Sequence, residues 1–522
     1  MKVLRAGLLL LVGVALPASS RAGGFHYPEL GTVGLSRGGA FVATADDPTA
    51  IYYNPAGAAR IVGTQILLSG NLLNETLRFQ RRSYEDPTRA PDRYPNDPTQ
   101  RMPEVVNSDG WFPAPFFAVT SDLHVLRPYR IVLMAGIYGP NAHNTRTMPR
   151  YCKPGSNPCE PVDKGQASPA RYETVSTELL VLYPTFGAAW RPIKSLSLGA
   201  VLQLGYNTMT YKTVVAGLMS ENPDTDVEAT LNMSSGISPT GIFGVHWAPL
   251  PFLELGASVR IGFTFHATGQ VCMGTKEAGK PCQGLPKETV DKLPLKIRLE
   301  PNPAPAHMDI PKAWVVRTGA RYVHRDGEGK EKADVELNFV WENTSRLKSF
   351  LFVPDQPIKT VLEETGETFT QVKELAEPYE WQNSWSLRLG GSYRFHRIFS
   401  DATLILRAGG FYEAPAQKDD YVRLAFMPFE RGGFTLGGGL RWRRYAVDVG
   451  YAHIFNKTVT IAPPAGAAEC TNTVTENCGS NVRQMVPLTS APIKFGSVIG
   501  NGTYAAAIDE ITLGASVVFD GP

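Results

Sequence analysis

The feature that most constrains the fold of this chain is an alternation of apolar and polar residues that recurs from residue 64 to the last predicted strand. The clearest example is 335–341, V-E-L-N-F-V-W, in which every second residue is large and apolar. Because successive side chains of a β-strand point to opposite faces, a period of two predicts half-buried strands. We therefore expect an all-β protein.

Fourteen segments carry this pattern, an even number, as closed bacterial barrels have. Many exceed the roughly 9–11 residues that a tilted strand needs to cross a bilayer. The sequence thus predicts a 14-stranded antiparallel transmembrane β-barrel. The predicted strands are 64–79, 110–120, 128–142, 172–191, 195–213, 229–248, 252–267, 310–325, 332–347, 379–396, 401–414, 432–442, 444–460 and 504–519.

The connections between these segments alternate in length. Short ones include 192–194 and 249–251, whereas long ones include 80–109, 143–171 and 268–309. Outer-membrane barrels have short periplasmic turns and longer extracellular loops. The alternation therefore gives each predicted strand a direction across the outer membrane of a Gram-negative bacterium.

The composition agrees with such a barrel but also allows a soluble rival. The chain is 43% hydrophobic and 19% charged, with a mean hydropathy of −0.14, which excludes a helical membrane protein. A secreted sandwich or propeller remains the alternative, but the even strand count and the loop alternation favour the barrel. The net charge of +2 gives no electrostatic case for nucleic acid.

The first 22 residues have the pattern of a secretory signal. Lys2 and Arg5 precede an apolar run at 6–16, and small residues end at Ala22. The run is shorter than the roughly 20 residues of a spanning helix. We expect cleavage after Ala22 and export of the mature chain.

Six cysteines fall in three close pairs, each within a predicted long connection. In an exported chain this spacing predicts local disulfides. Metal binding is the alternative, but the short C-x-x-C spacing of zinc sites is missing, so no metal is expected. The predicted pairs are Cys152 with Cys159, Cys272 with Cys282, and Cys470 with Cys478.

A compact glycine-rich segment, 34–57, lies between the signal and the first predicted strand. Its A-D-D-P and N-P-A-G runs are turn formers that do not suit a long regular element. This position predicts a plug inside the barrel, with a division into a signal at 1–22, a hatch at 23–63 and a barrel at 64–522. An ordinary glycine-rich loop is the alternative.

The same segment carries a resemblance to a known family. The runs G-L-S-R-G-G-A-F, A-D-D-P-T and Y-Y-N-P-A-G are similar to the N-terminal hatch of the FadL/TodX family, and Asn54, Pro55 and Ala56 match its most specific motif. The resemblance implies an outer-membrane channel for long-chain fatty acids or aromatic hydrocarbons. We expect these three residues to tie the hatch to the wall.

Two further sites follow from the resemblance. The run 133–142, L-M-A-G-I-Y-G-P-N-A, is similar to the family's third strand, whose inward kink opens a gap in the wall. Gly139 and Pro140 are the expected lateral opening, since proline cannot donate a ladder hydrogen bond; a strand that simply ends there is the alternative. Phe25 corresponds to a family phenylalanine that reaches the ligand, or it merely anchors a flexible end.

Strand parity places six arginines on the inner face, with Glu336, Glu342 and Asp448 available as partners. Buried charges need partners, so a structural network lining the lumen is the default interpretation. A single arginine that binds a fatty-acid carboxylate is the alternative. The six are Arg260, Arg317, Arg321, Arg388, Arg407 and Arg441.

Catalysis is not expected. Gly34-Leu-Ser36-Arg-Gly38 satisfies the G-x-S-x-G pattern, but that motif needs a preceding strand and a following helix in an α/β sheet. No cofactor motif is present, and no catalytic residue is assigned.

The sequence therefore predicts passive uptake of a hydrophobic molecule, bound in an apolar lumen pocket and released sideways. Long-chain fatty acid is the first substrate, a hydrocarbon the second, and a non-transporting structural or adhesive barrel the class alternative. Expected partners are outer-membrane lipid and the barrel assembly machinery, whose C-terminal signal the strand ending at Phe519 resembles; we expect a monomer.

Overall fold

A computed structural model describes residues 30–81, 102–139, 145–215, 226–274, 282, 297–398, 401–426, 429–461, 500 and 502–519. Its main feature is a closed ring of fourteen antiparallel strands. The strands are β1 (Thr64–Arg81), β2 (Phe112–Ser121), β3 (Ile131–Tyr138), β4 (Ser176–Ile193), β5 (Leu196–Val215), β6 (Ser238–Leu250), β7 (Leu253–Arg260), β8 (Val315–Arg325), β9 (Glu331–Glu342), β10 (Ser384–His396), β11 (Ala402–Glu413), β12 (Arg431–Trp442), β13 (Tyr445–Asn456) and β14 (Gly502–Phe519).

Each strand pairs with its sequence neighbour in the ring, and β14 closes on β1 over the full length of both, from Thr64 against Phe519 to Arg81 against Gly502. Closure removes the unpaired edges that would otherwise expose backbone polar groups to lipid. The predicted fold class, a 14-stranded antiparallel barrel, is confirmed.

The alternation in the sequence separates an outer face from an inner face. On β9, Val335, Leu337 and Phe339 are exposed, whereas Glu336 and Asn338 are completely buried. A soluble protein would bury the apolar face; here it points outward, as lipid contact requires. Exposed aromatic residues cluster at the strand ends near the short turns, the position of an interfacial aromatic belt. They include Trp190, Trp247, Tyr322, Tyr393, Trp442 and Tyr445.

Three segments predicted as continuous strands are each split. Residues 236–237, 261–263 and 312–314 interrupt the ladders that the sequence analysis extends over 229–248, 252–267 and 310–325. Pro311 cannot donate to a ladder, and a Cβ on Gly262 would lie 2.4 Å from Nη1 of Arg346, so both residues suit a bend. Above the bends the wall continues as a separate extension.

The extension and the long connections contain further strands. They are Val105–Val106, Thr145–Thr147, Tyr151–Cys152, Gln166–Ala167, Val227–Ser235, Thr264–Met273, Ile297–Glu300, Ala304–Pro311, Ser349–Pro354, Ile358–Leu362, Thr368–Val372, Leu375–Pro378 and Val459–Ile461. Val227–Ser235 lies almost entirely within a predicted strand, and Thr264–Met273, Ala304–Pro311 and Val459–Ile461 overlap predicted strands in part, whereas the sequence analysis treats the others as loops. Disulfides join Cys152 to Cys159 and Cys272 to Cys282, as predicted. Cys470 and Cys478 lie outside the described residues.

Residues 30–63, hereafter the hatch segment, fold into short helices packed against the inner face of the ring. The helices are α1 (Thr32–Leu35), α2 (Ala50–Tyr53) and a 3-10 helix, Pro55–Arg60. Three more 3-10 turns follow, Arg127–Tyr129, Thr344–Arg346 and Asp419–Tyr421. No helix among the described residues has the length and apolar character needed to span a membrane. The domain limits at 23 and 63 stay a prediction, because 23–29 are not described.

Glycines let the hatch segment approach the wall closely. Nine barrel strands each contribute one glycine at which an added Cβ would lie 2.1–3.2 Å from a hatch atom. At eight of the nine, all except Gly319 at 3.2 Å, the distance is shorter than real Cβ contacts, so a side chain there would displace the hatch. The nine are Gly199, Gly244, Gly256, Gly319, Gly390, Gly409, Gly437, Gly450 and Gly514.

Candidate functional site

The lumen has two parts, which we call lower, toward the short turns, and upper, toward the long connections. The lower part holds the hatch segment through its backbone. Glu336 accepts hydrogen bonds from the amides of Ala43 (2.7 Å) and Thr44 (3.0 Å). Asn338 Oδ1 accepts from the amides of Phe41 (2.9 Å) and Val42 (3.1 Å). Four consecutive hatch amides are therefore satisfied by two side chains of β9.

Two arginines complete this attachment. Arg37 of the hatch segment donates to Asp334 at 2.6 Å, and both side chains are buried. Arg388 of β10 donates to the carbonyl oxygen of Gly38 at 3.0 Å. Charge-assisted hydrogen bonds of this kind are among the stronger ones in proteins. Buried, paired charges thus connect hatch and wall in both directions.

The Asn54-Pro55-Ala56 motif bridges hatch and wall at a second point. Asn54 Nδ2 donates to the carbonyl of Val42 in the hatch (2.9 Å) and to that of Val245 in β6 (3.0 Å). Its Oδ1 accepts from the amide of Ala56 at 3.2 Å and so caps the following 3-10 helix. Pro55 has no backbone N–H, so the first residue of this helix leaves no amide donor without a partner.

Four of the six predicted lumen arginines lie in ion pairs in the lower part. Arg321 pairs with Glu254 (2.9 Å), Asp334 (3.1 Å) and Glu331. Arg388 and Arg431 share Glu413. Arg407 and Arg441 share Asp448, at 2.8 and 2.9 Å. This arrangement has the form of a structural network. Glu336, expected to pair with one of these six arginines, instead accepts hydrogen bonds from the hatch backbone and lies 3.6 Å from Arg37 of the hatch segment.

The other two, Arg260 and Arg317, differ. They are only 7% and 5% exposed, yet among the described residues neither lies within ion-pair distance of a carboxylate. Nε of Arg260 and Nη1 of Arg317 have no hydrogen-bond partner among those residues. A buried charge without a partner is costly. The buried carboxylate Glu342 interacts with both of them over a longer distance, so these two cations are buried without a direct anionic partner among the described residues.

The position of these arginines links them to the bend in the wall. Arg260 ends β7 and Glu342 ends β9, and both align with Val315, the first residue of β8. Arg260 and Glu342 line a small cavity with Lys312 and Thr344. The cations thus lie where three membrane strands stop and the upper extension begins.

Above this level the lumen contains a large apolar cluster. One continuous cluster joins hatch residues to the inner faces of the extension. Such apolar side chains suit the tail of a hydrophobic ligand. Its members above the bend include Met209, Met233, Phe265, Met308, Phe350, Phe352, Tyr379 and Trp381.

An aromatic group connects the unpaired cations to β3. The Arg317 guanidinium lies 4.8 Å from the centre of the Tyr52 ring, a cation–π contact. The ring centre of Tyr138 lies 5.8 Å from that of Tyr52. It lies 5.4 Å from that of Phe116 and 5.8 Å from that of Tyr183. Gln203 donates to the Tyr138 hydroxyl. Tyr138 is therefore the inner lining of the wall where β3 ends.

The wall is irregular at this point. β3 pairs with β4 up to Tyr138 against Tyr183, and pairing resumes at Thr145 against Glu178. Thr145 lies seven positions after Tyr138, whereas Glu178 lies five positions before Tyr183. The pairing register therefore shifts by two residues between these two points. On the other side, β2 pairs with β3 only from Phe116, leaving 112–115 paired to β1 alone among the described residues.

Gly139 directly follows the last paired residue, and Pro140 begins the undescribed residues 140–144. Phe25 also lies outside the described residues, so its predicted ligand contact stays a prediction. The sequence analysis missed Arg37, Asp334, Tyr52 and Tyr138. Strand parity places Asp334 on the inner face with Glu336, whereas nothing local identifies the other three.

Comparison with known proteins agrees with this architecture. The profile of the family described as outer membrane protein transport protein (OMPP1/FadL/TodX) matches residues 162–486. A curated relative, outer membrane protein NMB0088 of Neisseria meningitidis serogroup B, is 32% identical over 84 residues. That alignment covers 16% of this chain and 18% of the relative.

Solved structures match over nearly the whole chain. A Pseudomonas aeruginosa FadL homologue superposes with a TM-score of 0.64 at 17% identity, covering 95% of this chain and 100% of its own. The P. putida toluene transporter TodX gives 0.58 at 13%, with the same coverage. The Ralstonia pickettii toluene transporter TbuX gives 0.56 at 13%, covering 94% and 99%. With more than half of its length matched by the family profile, this chain belongs to the OMPP1/FadL/TodX family of outer-membrane transporters of hydrophobic compounds.

Proposed function

We propose that this protein takes up long-chain fatty acids by passive diffusion. The observation that carries the proposal is the pair of buried, unpaired arginines, Arg260 and Arg317, at the floor of the apolar upper lumen. A fatty acid presents the complementary chemistry, a carboxylate at the end of an alkyl chain. The carboxylate would neutralise the cations while the chain lies among the apolar side chains above them.

The charge balance favours a fatty acid over a hydrocarbon. Toluene or an alkane would fill the apolar space but leave both guanidinium groups without an anion in direct contact, with Glu342 as their more distant carboxylate, and that desolvation is unfavourable. Solved relatives named toluene transporters keep hydrocarbon uptake as the second candidate. The aromatic group of Tyr52, Tyr138 and Phe116 suits either ligand.

We propose that release is lateral, through the wall at Gly139-Pro140. The ladder irregularity begins one residue after Tyr138, and Tyr138 contacts Tyr52, which contacts Arg317. A ligand anchored at Arg317 is thus one aromatic ring away from the interrupted wall. The hatch segment below is held by paired charges, which favours a sideways exit over one through the hatch. The proposed uptake and release require no energy source.

The test is uptake of labelled oleate and labelled toluene by Gram-negative cells that lack their own such channel. Cells would carry the native protein or Arg260→Met/Arg317→Met, which keeps the length of the side chains but removes both charges. We expect oleate uptake to fall more than about tenfold, since each lost charge-assisted contact contributes roughly 1.5–3 kcal/mol. Toluene uptake should not fall.

The matched control is Arg325→Met/Arg397→Met, which removes two exposed cations near the short turns. It should leave oleate uptake unchanged. If the native barrel carries toluene but not oleate, hydrocarbon uptake replaces the fatty-acid proposal. If a folded, surface-located barrel carries neither, a structural or adhesive role remains.

A further inference from the structure

A basic cavity lies at the opposite end of the barrel from the ligand site. It has a volume of about 370 Å³ and is formed by the turn between β2 and β3, the turn between β4 and β5, and the end of the hatch segment. Its charged lining residues are Arg60, Arg127, Arg130, Arg191, Lys194 and Asp122. Five cations thus surround one carboxylate.

Two of these cations are neutralised by neighbours. Arg127 donates to Asp122 at 2.8 Å, and Arg60 pairs with Glu254 at 3.2 Å. Partial burial alone would raise the pKa of Asp122, but the hydrogen bonds from Arg127 and from backbone amides lower it to about 2. Asp122 is therefore ionised at neutral pH and engaged by Arg127.

The remaining three cations, Arg130, Arg191 and Lys194, have no carboxylate within ion-pair distance among the described residues. Two contacts hold them together. The amide of Arg191 donates to the carbonyl of Arg130 at 3.0 Å, and the Arg191 guanidinium donates to the carbonyl of Lys194 at 3.1 Å. Arg130 and Lys194 are exposed, so their charges face the cavity and solvent. The cavity therefore carries an excess of three positive charges.

The height of the cavity relative to the membrane indicates the source of an anion. Trp190, one residue before Arg191, is half exposed on the outer face and belongs to the aromatic belt. Such belts lie at the level of lipid headgroups. Leu123, Val125 and Tyr129, on the turn that forms the cavity wall, are each more than half exposed. Exposed apolar side chains beside unpaired cations suit an acyl chain and its headgroup.

We propose that this cavity binds the phosphate group of an anionic phospholipid of the periplasmic leaflet. Arg130, Arg191 and Lys194 contact the phosphate, and Leu123, Val125 and Tyr129 contact the acyl chains. The site is independent of the proposed transport function, because none of these six residues belongs to the apolar cluster of the upper lumen. The site holds an anionic phospholipid against the wall between β2 and β5.

The test is native mass spectrometry of the purified full chain titrated with phosphatidylglycerol, phosphatidylethanolamine or glycerol phosphate. We expect the native protein to bind phosphatidylglycerol more tightly than phosphatidylethanolamine, whose ammonium group the cavity cations repel. Arg130→Gln/Lys194→Gln should weaken phosphatidylglycerol binding about twenty-five-fold, since each cation near an anionic membrane contributes roughly 1 kcal/mol. Arg191 is left intact because it holds the two turns together.

The matched control is Arg443→Gln/Arg444→Gln, which removes two exposed cations from another short turn. Their guanidinium groups lie over Trp442 and Tyr445, at 5.1 and 5.2 Å, instead of lining a cavity. This variant should retain phosphatidylglycerol binding. Heat-modifiable migration in gels confirms that both variants fold.

Three results would overturn the proposal. The first is an equal loss of phosphatidylglycerol binding in the cavity variant and the control variant, which would show that binding depends on the general positive charge of the short turns. The second is unchanged binding in the cavity variant. The third is displacement of phosphatidylglycerol by an equal concentration of glycerol phosphate, which would assign the cavity to a soluble anion.

Discussion

Two groups of buried arginines, one in the lower part of the lumen and one at the floor of the upper part, are in opposite electrostatic states. In the lower part, Arg37, Arg321 and Arg388 each lie against a carboxylate, and the hatch backbone fills the space between them. In the upper part, Arg260 and Arg317 are buried without a carboxylate partner among the described residues, under an apolar cluster. Paired charges stabilise one arrangement, whereas unpaired charges leave a site for an external anion.

The largest effect should come from breaking the lower part. Glu336→Leu removes the acceptor for the amides of Ala43 and Thr44 and leaves these donors buried. Loss of a partner from a buried charged contact costs about 3–5 kcal/mol, so we expect the hatch segment to detach while the barrel stays closed. The measurement is ion conductance in planar bilayers, together with protease cleavage of the hatch segment.

The control for this prediction is Glu328→Leu. Glu328 lies in the turn after β8, with an exposed side chain that pairs with Lys330 and Arg397. Exposed pairs contribute little, so conductance and cleavage should match the native protein. A Glu336→Leu barrel that stays non-conducting and protease-resistant would show that β9 does not hold the hatch.

The second prediction compares one arginine from each part. Arg388→Met should destabilise the fold by about 3 kcal/mol, because Glu413 loses one of its two buried partners and Gly38 loses a donor. Arg317→Met should stabilise it by about 1–2 kcal/mol, because a buried charge without a direct carboxylate partner is removed, and the Tyr52 contact and a longer-range attraction to Glu342 are weaker than this desolvation cost. Unfolding in guanidinium chloride, followed by tryptophan fluorescence in lipid vesicles, measures both. Destabilisation by both changes would contradict the distinction between the two parts.

This contrast also marks the limit of the sequence analysis. The period-two pattern predicts all fourteen strands, because each strand needs an apolar face toward lipid along its own length. Strand parity also places the six arginines inside. Parity cannot tell which of them finds a carboxylate, because Arg321 and Glu254 are brought together only by the pairing of β7 with β8. Nor can it reveal the bends after Arg260 and Pro311, which depend on the packing of the extension.

The hatch shows the same limit. The resemblance identifies Asn54-Pro55-Ala56, whose neighbours in the fold include Val245, 191 residues away. The nine wall glycines occur singly in strands where they look like interruptions. Only closure of the ring places these glycines around the hatch segment.

A third, smaller effect is expected at that ring of glycines. Gly256→Ala would place a Cβ 2.4 Å from the carbonyl oxygen of Val42, so hatch or wall must shift, at a cost of roughly 1–3 kcal/mol. Gly70→Ala in β1 is the matched control, since nothing lies within 4 Å of its added Cβ. Hydrogen exchange of the hatch amides should rise for Gly256→Ala alone. Equal exchange in the two variants would show that close approach at Gly256 is not required.

The smallest effect concerns the exit from the upper part. Gly139→Val/Pro140→Val supplies two β-branched residues and a backbone donor where the ladder of β3 stops, which favours continued strand pairing. If the ligand leaves sideways there, oleate uptake should fall about fivefold, equivalent to roughly 1 kcal/mol on the release step. Oleate binding to the purified protein should stay unchanged, because Arg260 and Arg317 are untouched. Gly236→Val, at an exposed strand break with nothing within 4 Å of the added Cβ, is the control and should leave both unchanged. Undiminished uptake by the double variant would direct the exit away from β3, and the hatch segment would then have to move for each ligand despite its paired charges.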